Sequence, residues 1–198
     1  MNRLLSLLLS AVAAAASLSA QAPIVLRGQV TDGSAAGCYY CPGFSHVLKF
    51  SGIPLASPSI NLLLYHNQMC KVTGTWNGAV VEVSAIEVTT DTFSIGGNGH
   101  IGHDMSFTSL GAQGDMAINA LAIGTACSIP FFDCGMQLAP SSLGILGLGT
   151  MGGSGECSHD VAVPDAPVLV GLRVFGQSLI LKQDGSMFFS NIDAKEIN

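Results

Sequence analysis

The chain has 198 residues, 48% hydrophobic and 10% charged, with 24 glycines and a formal net charge of −6. So little charge and so much glycine exclude a disordered chain and point to a β-rich, loop-rich globular protein. Seven Lys and Arg face thirteen Asp and Glu. With no basic stripe, that excludes the phosphate-neutralising surface on which nucleic acid binding depends.

Residues Met1 to Ala20 (MNRLLSLLLSAVAAAASLSA) hold one cation, Arg3, an apolar run from Leu4 to Ala16, and a small residue at Ala20. This is the pattern of a secretory signal peptide cut after Ala20, which places the mature chain in an extracellular or periplasmic setting. The run is short for a bilayer span of about 20 apolar residues. No later segment is long and apolar enough, so no membrane span is expected once the leader is removed. The end of the chain, NIDAKEIN, shows no sorting or anchoring pattern.

Residues 23–90 read as a first domain. Ile24 to Val30 is a strand ended by Asp32-Gly33, and Gly37 to Gly43 (GCYYCPG) is a cysteine-rich loop. His46 to Phe50 and Ile53 to Ala56 are short strands. Ser57-Pro58 suits an N-cap followed by proline at the first helical position. A short helix over Ser59 to Asn67 is expected to follow, with Leu62, Leu63 and Tyr65 facing inward and Asn67 ending it. Met69 to Thr90 gives two strands joined at Asn77-Gly78, a pair that suits a type I′ turn. In the second of these strands Val81, Val83 and Ala85 alternate with Glu82, Ser84 and Ile86. The polar face turns apolar at Ile86 and Val88, so the strand is expected to bend or switch exposure.

The order strand, strand, strand, helix, strand, strand, together with Leu62 to Trp76 (LLLYHNQMCKVTGTW), resembles an OB-fold, a small five-stranded barrel. OB-folds often bind single-stranded nucleic acid through a basic groove with stacking aromatics. The cations are missing here, so the resemblance implies the fold and not the activity. Tyr39, Tyr40 and Trp76 are the candidate ligand-binding aromatics, although loop packing is the plain reading of Tyr39-Tyr40.

Residues 91–198 read as a second domain, opened by Gly96-Gly97-Asn98-Gly99. Short apolar runs separated by Gly, Pro and Asp follow at even spacing, which suggests an antiparallel sandwich. The longest run, Leu172 to Leu181, ends at a turn signal, Asp184-Gly185. Val163 to Gln177 (VPDAPVLVGLRVFGQ), with Cys134 to Ser142 upstream, resembles the C-terminal β-sandwich region of secreted planctomycete-type bacterial proteins. That resemblance implies an extracellular or surface module without a transferable activity. The whole chain is therefore expected to be all-β: an OB-like barrel with one short helix, then an antiparallel β-sandwich.

Six cysteines in an exported chain favour disulfides. Cys38, Cys41 and Cys70 fall in the first domain, and Cys127, Cys134 and Cys157 in the second, so they cannot all pair within domains. In an OB-fold the first strand runs antiparallel to the fourth, and the resemblance therefore implies a bridge from Cys70 to Cys38 or Cys41. Cys127 and Cys134 could staple a hairpin, with Cys157 able to replace either. A zinc set of Cys38, Cys41, Cys70 and either His46 or His66 is the alternative. No other cofactor is expected.

His100-x-x-His103-Asp104 could ligate a metal, but Gly99 and Gly102 place it in a loop of solvated histidines. Ser158-His159-Asp160 has triad residue types in sequence, and neighbours on a strand diverge. No nucleophile elbow, HExxH or phosphate loop is present. The expected function is that of a secreted, non-enzymatic structural or interaction protein with an extracellular or cell-surface partner. The alternative is an extracellular binding module for a small ligand, glycan or metal ion. A hydrolase requires that His100, His103 or His159 meet a carboxylate in a cleft.

Overall fold

The computed structural model describes residues 22–33, 44–131 and 134–198, without the side chains of 22, 127–131 and 134. In chain order the strands are β1 (Ala22–Asp32), β2 (His46–Leu48), β3 (Pro54–Ala56), β4 (Met69–Trp76) and β5 (Val81–Val88). Then come β6 (Phe93–Ile95), β7 (Asp104–Leu110), β8 (Met116–Ala122), β9 (Thr125–Phe131) and β10 (Cys134–Leu138). The last are β11 (Gly144–Thr150), β12 (Glu156–Ala162), β13 (Arg173–Leu181), β14 (Met187–Phe189) and β15 (Asp193–Glu196). Among the described residues only short 3-10 turns accompany them, and the fold is all-β. Among the described residues no helix is long and apolar enough to cross a membrane.

Strict alternation builds the first core. β1 turns Ile24, Leu26 and Val30 inward, β4 turns Cys70 and Val72 inward, and β5 does so with Val81 and Val83. β1 pairs antiparallel with β2 and β4, β2 with β3, and β4 with β5. β3 and β5 pair in parallel and close the five strands into a barrel, compatible with an OB-like domain. The change of face in β5 is a β-bulge. Val83 opposes Gly74 and Ala85 opposes Thr73, so Ser84 is the extra residue. Beyond it Ala85 is exposed and Ile86 packs on the core. Gly74 must be glycine there, because a Cβ would collide with the Glu82 carbonyl oxygen.

Two local expectations change. The helix expected over Ser59 to Asn67 is a single 3-10 turn, Leu62–Tyr65. Ser57 Oγ accepts the Ile60 N–H at 3.1 Å and folds 57–60 into its own turn, while Asn61 Oδ1 accepts the Leu63 N–H at 3.2 Å. The helix can therefore start no earlier than Leu62. Leu62 is buried, but Leu63 is 64% exposed and does not face inward. Asn67, at φ 61°, ends the segment as expected. The second change is at Asn77-Gly78. The connection is a four-residue loop, 77–80, with Trp76 opposite Val81. Asn77 uses its side chain to accept the Ala79 and Val80 N–H groups at 3.0 Å each, and within that loop only Gly78 has positive φ.

The second half is a sandwich. One sheet runs β11-β8-β13-β14, with β15 also on β13, and the other runs β12-β7-β6. Between them lie Phe93, Ile95, Met105, Phe107 and Val174, extended by Ala117, Met151, Cys157 and Ile180. The Phe93 and Phe107 rings sit 6.4 Å apart, and Gly176 leaves room for both.

The two cores are separate but their sheets are not. The β9–β10 hairpin leaves the sandwich, and β10 pairs in parallel with β1, Val25 opposite Cys134. The barrel sheet thereby extends to seven strands. Phe50 of the barrel packs on Ala120, Ala122, Leu138 and Ile192 at the joint. The boundary expected near residue 90 thus divides hydrophobic cores, not hydrogen-bonded sheets.

Candidate functional site

An antiparallel sandwich normally turns polar side chains to water on both outer faces. The three-stranded sheet does so. Register aligns Ser94, Thr108 and Ser158 across its strands. Thr108 Oγ1 and Ser158 Oγ are 3.0 Å apart, and Ser106 Oγ donates to Asp160 Oδ1.

The larger sheet does the opposite. Leu148, Ile118, Leu179 and Phe189 form one row across four strands. Met116, Leu181 and Met187 form the next row. Ile145, Leu148 and Met116 are 63%, 58% and 39% exposed. A core-forming pattern thus faces outward, and among the described residues no further layer covers part of it. The β10 residues Met136 and Leu138 and the nearby Leu143 rise beside this face and make a groove of about 330 Å³. Its one polar floor residue, Gln177, is held at both ends of its amide. Gln177 Oε1 accepts the Gln137 N–H at 2.9 Å, and Nε2 donates to the Ser190 carbonyl at 3.0 Å. The groove therefore offers apolar contact and no free polar anchor.

The two flanks of the sandwich also differ. At β6 the side chains of Asn191 and Asp193 close the edge: Asn191 Oδ1 accepts the Thr92 and Phe93 N–H groups, and Asp193 Oδ2 accepts that of Ile95. At β11 (GILGLGT) the edge carries no charge and no proline, the usual devices that keep edge strands apart. Its inward glycines have a local cause. A Cβ on Gly147 would collide with the His159 ring, and one on Gly149 would reach Cys157 Sγ. Among the described residues the outward Leu148 has no such cause.

A polar cleft of about 320 Å³ lies between barrel and sandwich, lined in part by Gln29, Lys49, Phe50, Asn67, Asp91 and Asp193. Phe50 (φ 67°) and Asn67 (φ 61°) are the only described non-glycine residues with positive φ.

Of the residues singled out from sequence, Tyr39, Tyr40, Cys38 and Cys41 lie outside the described residues. Trp76 is half-buried against the barrel core. Cys70 faces the barrel interior and Cys157 the sandwich interior. Both are free thiols, and burial pushes both thiol pKa values up. Cys70 opposes Gly28 on one side of β1, and His46 opposes Asp32 on the other. Four residues of strand set the two positions about 13 Å apart along β1, so the structure does not bring these two side chains together. Along the β9–β10 hairpin Cys134 opposes Phe131, four residues from Cys127. A bridge between those two requires another register, because disulfide-linked Cα atoms lie within about 7 Å.

His100, His103 and Asp104 are exposed in and beside a loop, with the histidine rings 6.0 Å apart. Ser158 and Asp160 point to the outer face, whereas His159 points inward, where its Nδ1 is 3.1 Å from Asn119 Nδ2. These three side chains diverge as strand geometry requires. Among the described residues no three His, Cys, Asp or Glu side chains gather as metal ligands. Sequence reasoning missed the apolar face. The signal was there in Met116, Ile118, Leu179 and Leu181, but only the register shows that they share a side.

Comparison of the chain with protein-family models, with curated proteins and with solved structures finds no match in any of the three.

Proposed function

We propose that this is a secreted, non-enzymatic interaction protein whose binding surface is the outward apolar face of the larger sandwich sheet. The observation that carries the reading is the row Leu148–Ile118–Leu179–Phe189, apolar and outward on one sheet, while the opposite sheet is polar. Contiguous exposed apolar surface on a globular protein marks a place where something docks. Export is supported by the leader pattern of Met1 to Ala20 and by the likeness of Val163 to Gln177 to surface modules of planctomycete-type bacteria. In this reading the OB-like barrel is a scaffold: it carries the β10 wall of the groove through the β1 pairing.

The test uses a neutral solvatochromic dye, Nile red, with the folded protein. Blue-shifted, saturable emission that falls severalfold in Leu179→Ser and Ile145→Ser is expected. No emission change with the unaltered protein would sink the reading. Export is checked by the intact mass of protein recovered outside the cytoplasm, which should begin at Gln21.

A further inference from the structure

A docking face implies a partner, and the face itself does not name one. Resting on the interaction reading, we infer that the occupant of the β11 edge is a second copy of this chain, paired antiparallel about a twofold axis at Leu148. A closed pair of identical chains needs a surface complementary to itself. Gly147-Leu148-Gly149 reads the same in both directions. An axis at Leu148 sets leucine on leucine at the outward side. It sets each Gly147 on a Gly149 at the inward side, so these three central residues pair without conflict, and cross-strand leucines come within about 5 Å at Cβ.

Three further observations favour a copy of the same chain. The β6 edge of the other sheet is closed by Asn191 and Asp193, so that strand does not compete with β11 for a partner. The chain carries a formal charge of −6, so two copies meet most readily where charge is sparsest. β11 and the apolar row beside it hold no charged residue. The area is also compatible. A strand of seven residues spans about 24 Å and the two-layered flank is roughly 20 Å wide, which buries about 1,000 Å² in total. That is the lower end for specific association, so the dimer is weak and concentration-dependent.

Pairing joins two apolar rows into one face, with both grooves open on the same side. The second layer places β12, with Glu156 and Asp160, near its counterpart. Like charge there makes the dimer stronger as salt rises.

The test is molar mass by light scattering or sedimentation over a concentration series, for the unaltered protein, Leu148→Lys, Leu148→Glu and their equimolar mixture. Leu148 is 58% exposed, so both variants should keep the native far-UV circular dichroism. The unaltered protein should approach dimer mass as concentration rises. Each variant alone should weaken dimerisation at least tenfold, and the mixture should restore it. Leu63→Lys, equally exposed but on the barrel, should leave the dimer intact. Monomer mass at every concentration, or a dimer indifferent to both Leu148 variants, overturns the inference. Monomer mass with dye binding intact removes this inference alone. A dimer without dye binding removes the interaction reading instead.

Discussion

Asn191 binds Phe93 as a neighbouring strand would: its Oδ1 accepts the Phe93 N–H at 3.1 Å and its Nδ2 donates to the Phe93 carbonyl at 2.9 Å. The two residues are 98 positions apart, and both are buried. One side chain therefore fastens the β6 edge to the segment between β14 and β15, where no strand is available. Asn191→Ala leaves buried amides and a carbonyl unpaired. The expected loss is about 2–4 kcal/mol, since each orphaned buried group costs about 1–3 kcal/mol. Asn191→Asp keeps the acceptor but buries a charge and sets a carboxylate oxygen against the Phe93 carbonyl, so at neutral pH it should also destabilise. Urea unfolding midpoints check both; equal midpoints for Asn191→Ala and the unaltered protein would remove the capping role.

Gln177 joins the two halves. It takes the Gln137 N–H and gives to the Ser190 carbonyl, while Gln137 Nε2 donates to the Arg27 carbonyl of β1 at 2.9 Å. Barrel and sandwich should therefore unfold together. Trp76, the single tryptophan, sits in the barrel, so its fluorescence reports that half, while far-UV circular dichroism reports both. The two transitions should coincide in the unaltered protein. Gln177→Leu strands the Gln137 N–H and the Ser190 carbonyl and should separate them. Two transitions in the unaltered protein would show that the joint does not couple the cores.

Gly176 is set by contact and not by backbone angle. A Cβ there would stand 2.7 Å from Phe93 Cε1 and 3.0 Å from Phe107 Cδ1, both in fully buried rings. Gly176→Ala should destabilise the sandwich by about 1–3 kcal/mol, as overpacked cores do. Gly171, with open space around its Cβ but φ 86°, tests the other cause. Its alanine variant should be strained through the backbone alone. Thermal melts of the two variants check these expectations, and an unchanged melt for Gly176→Ala would contradict the packing.

The barrel was legible because period two carries it. Ile24, Leu26 and Val30, then Cys70 and Val72, alternate in sequence as they do in the core. The exposure switch of β5 was legible as well, because Ile86 broke the polar alternation, although the bulge at Ser84 was not named. The single 3-10 turn was hidden, because Ser57 and Asn61 both make local caps and the sequence alone does not rank them. The β1–β10 pairing was invisible for a different reason. It joins Val25 to Cys134 across more than a hundred residues, and nothing local encodes it. The apolar face was missed because Leu179 and Ile118 look like core residues until register places them on the outside.

The thiols test the cores from within. Cys70 and Cys157 have an ordinary thiol pKa of 9.0 when unfolded, and burial raises both in the folded protein. The neutral thiol is the form the fold tolerates, so its contribution is complete below pH 9.0. It is lost as pH climbs from there through the folded values, because the unfolded chain releases the proton first. Stability should therefore fall on the alkaline side of pH 9.0, and Cys70→Val should flatten part of that fall. In native protein at neutral pH, iodoacetamide should leave both residues unlabelled by peptide mapping, and denaturant should expose both. Rapid native labelling of Cys70 would mean that the barrel opens at β4. A mapped bridge from Cys70 to Cys38 or Cys41 would replace the free thiol with a staple between β4 and the segment that follows β1.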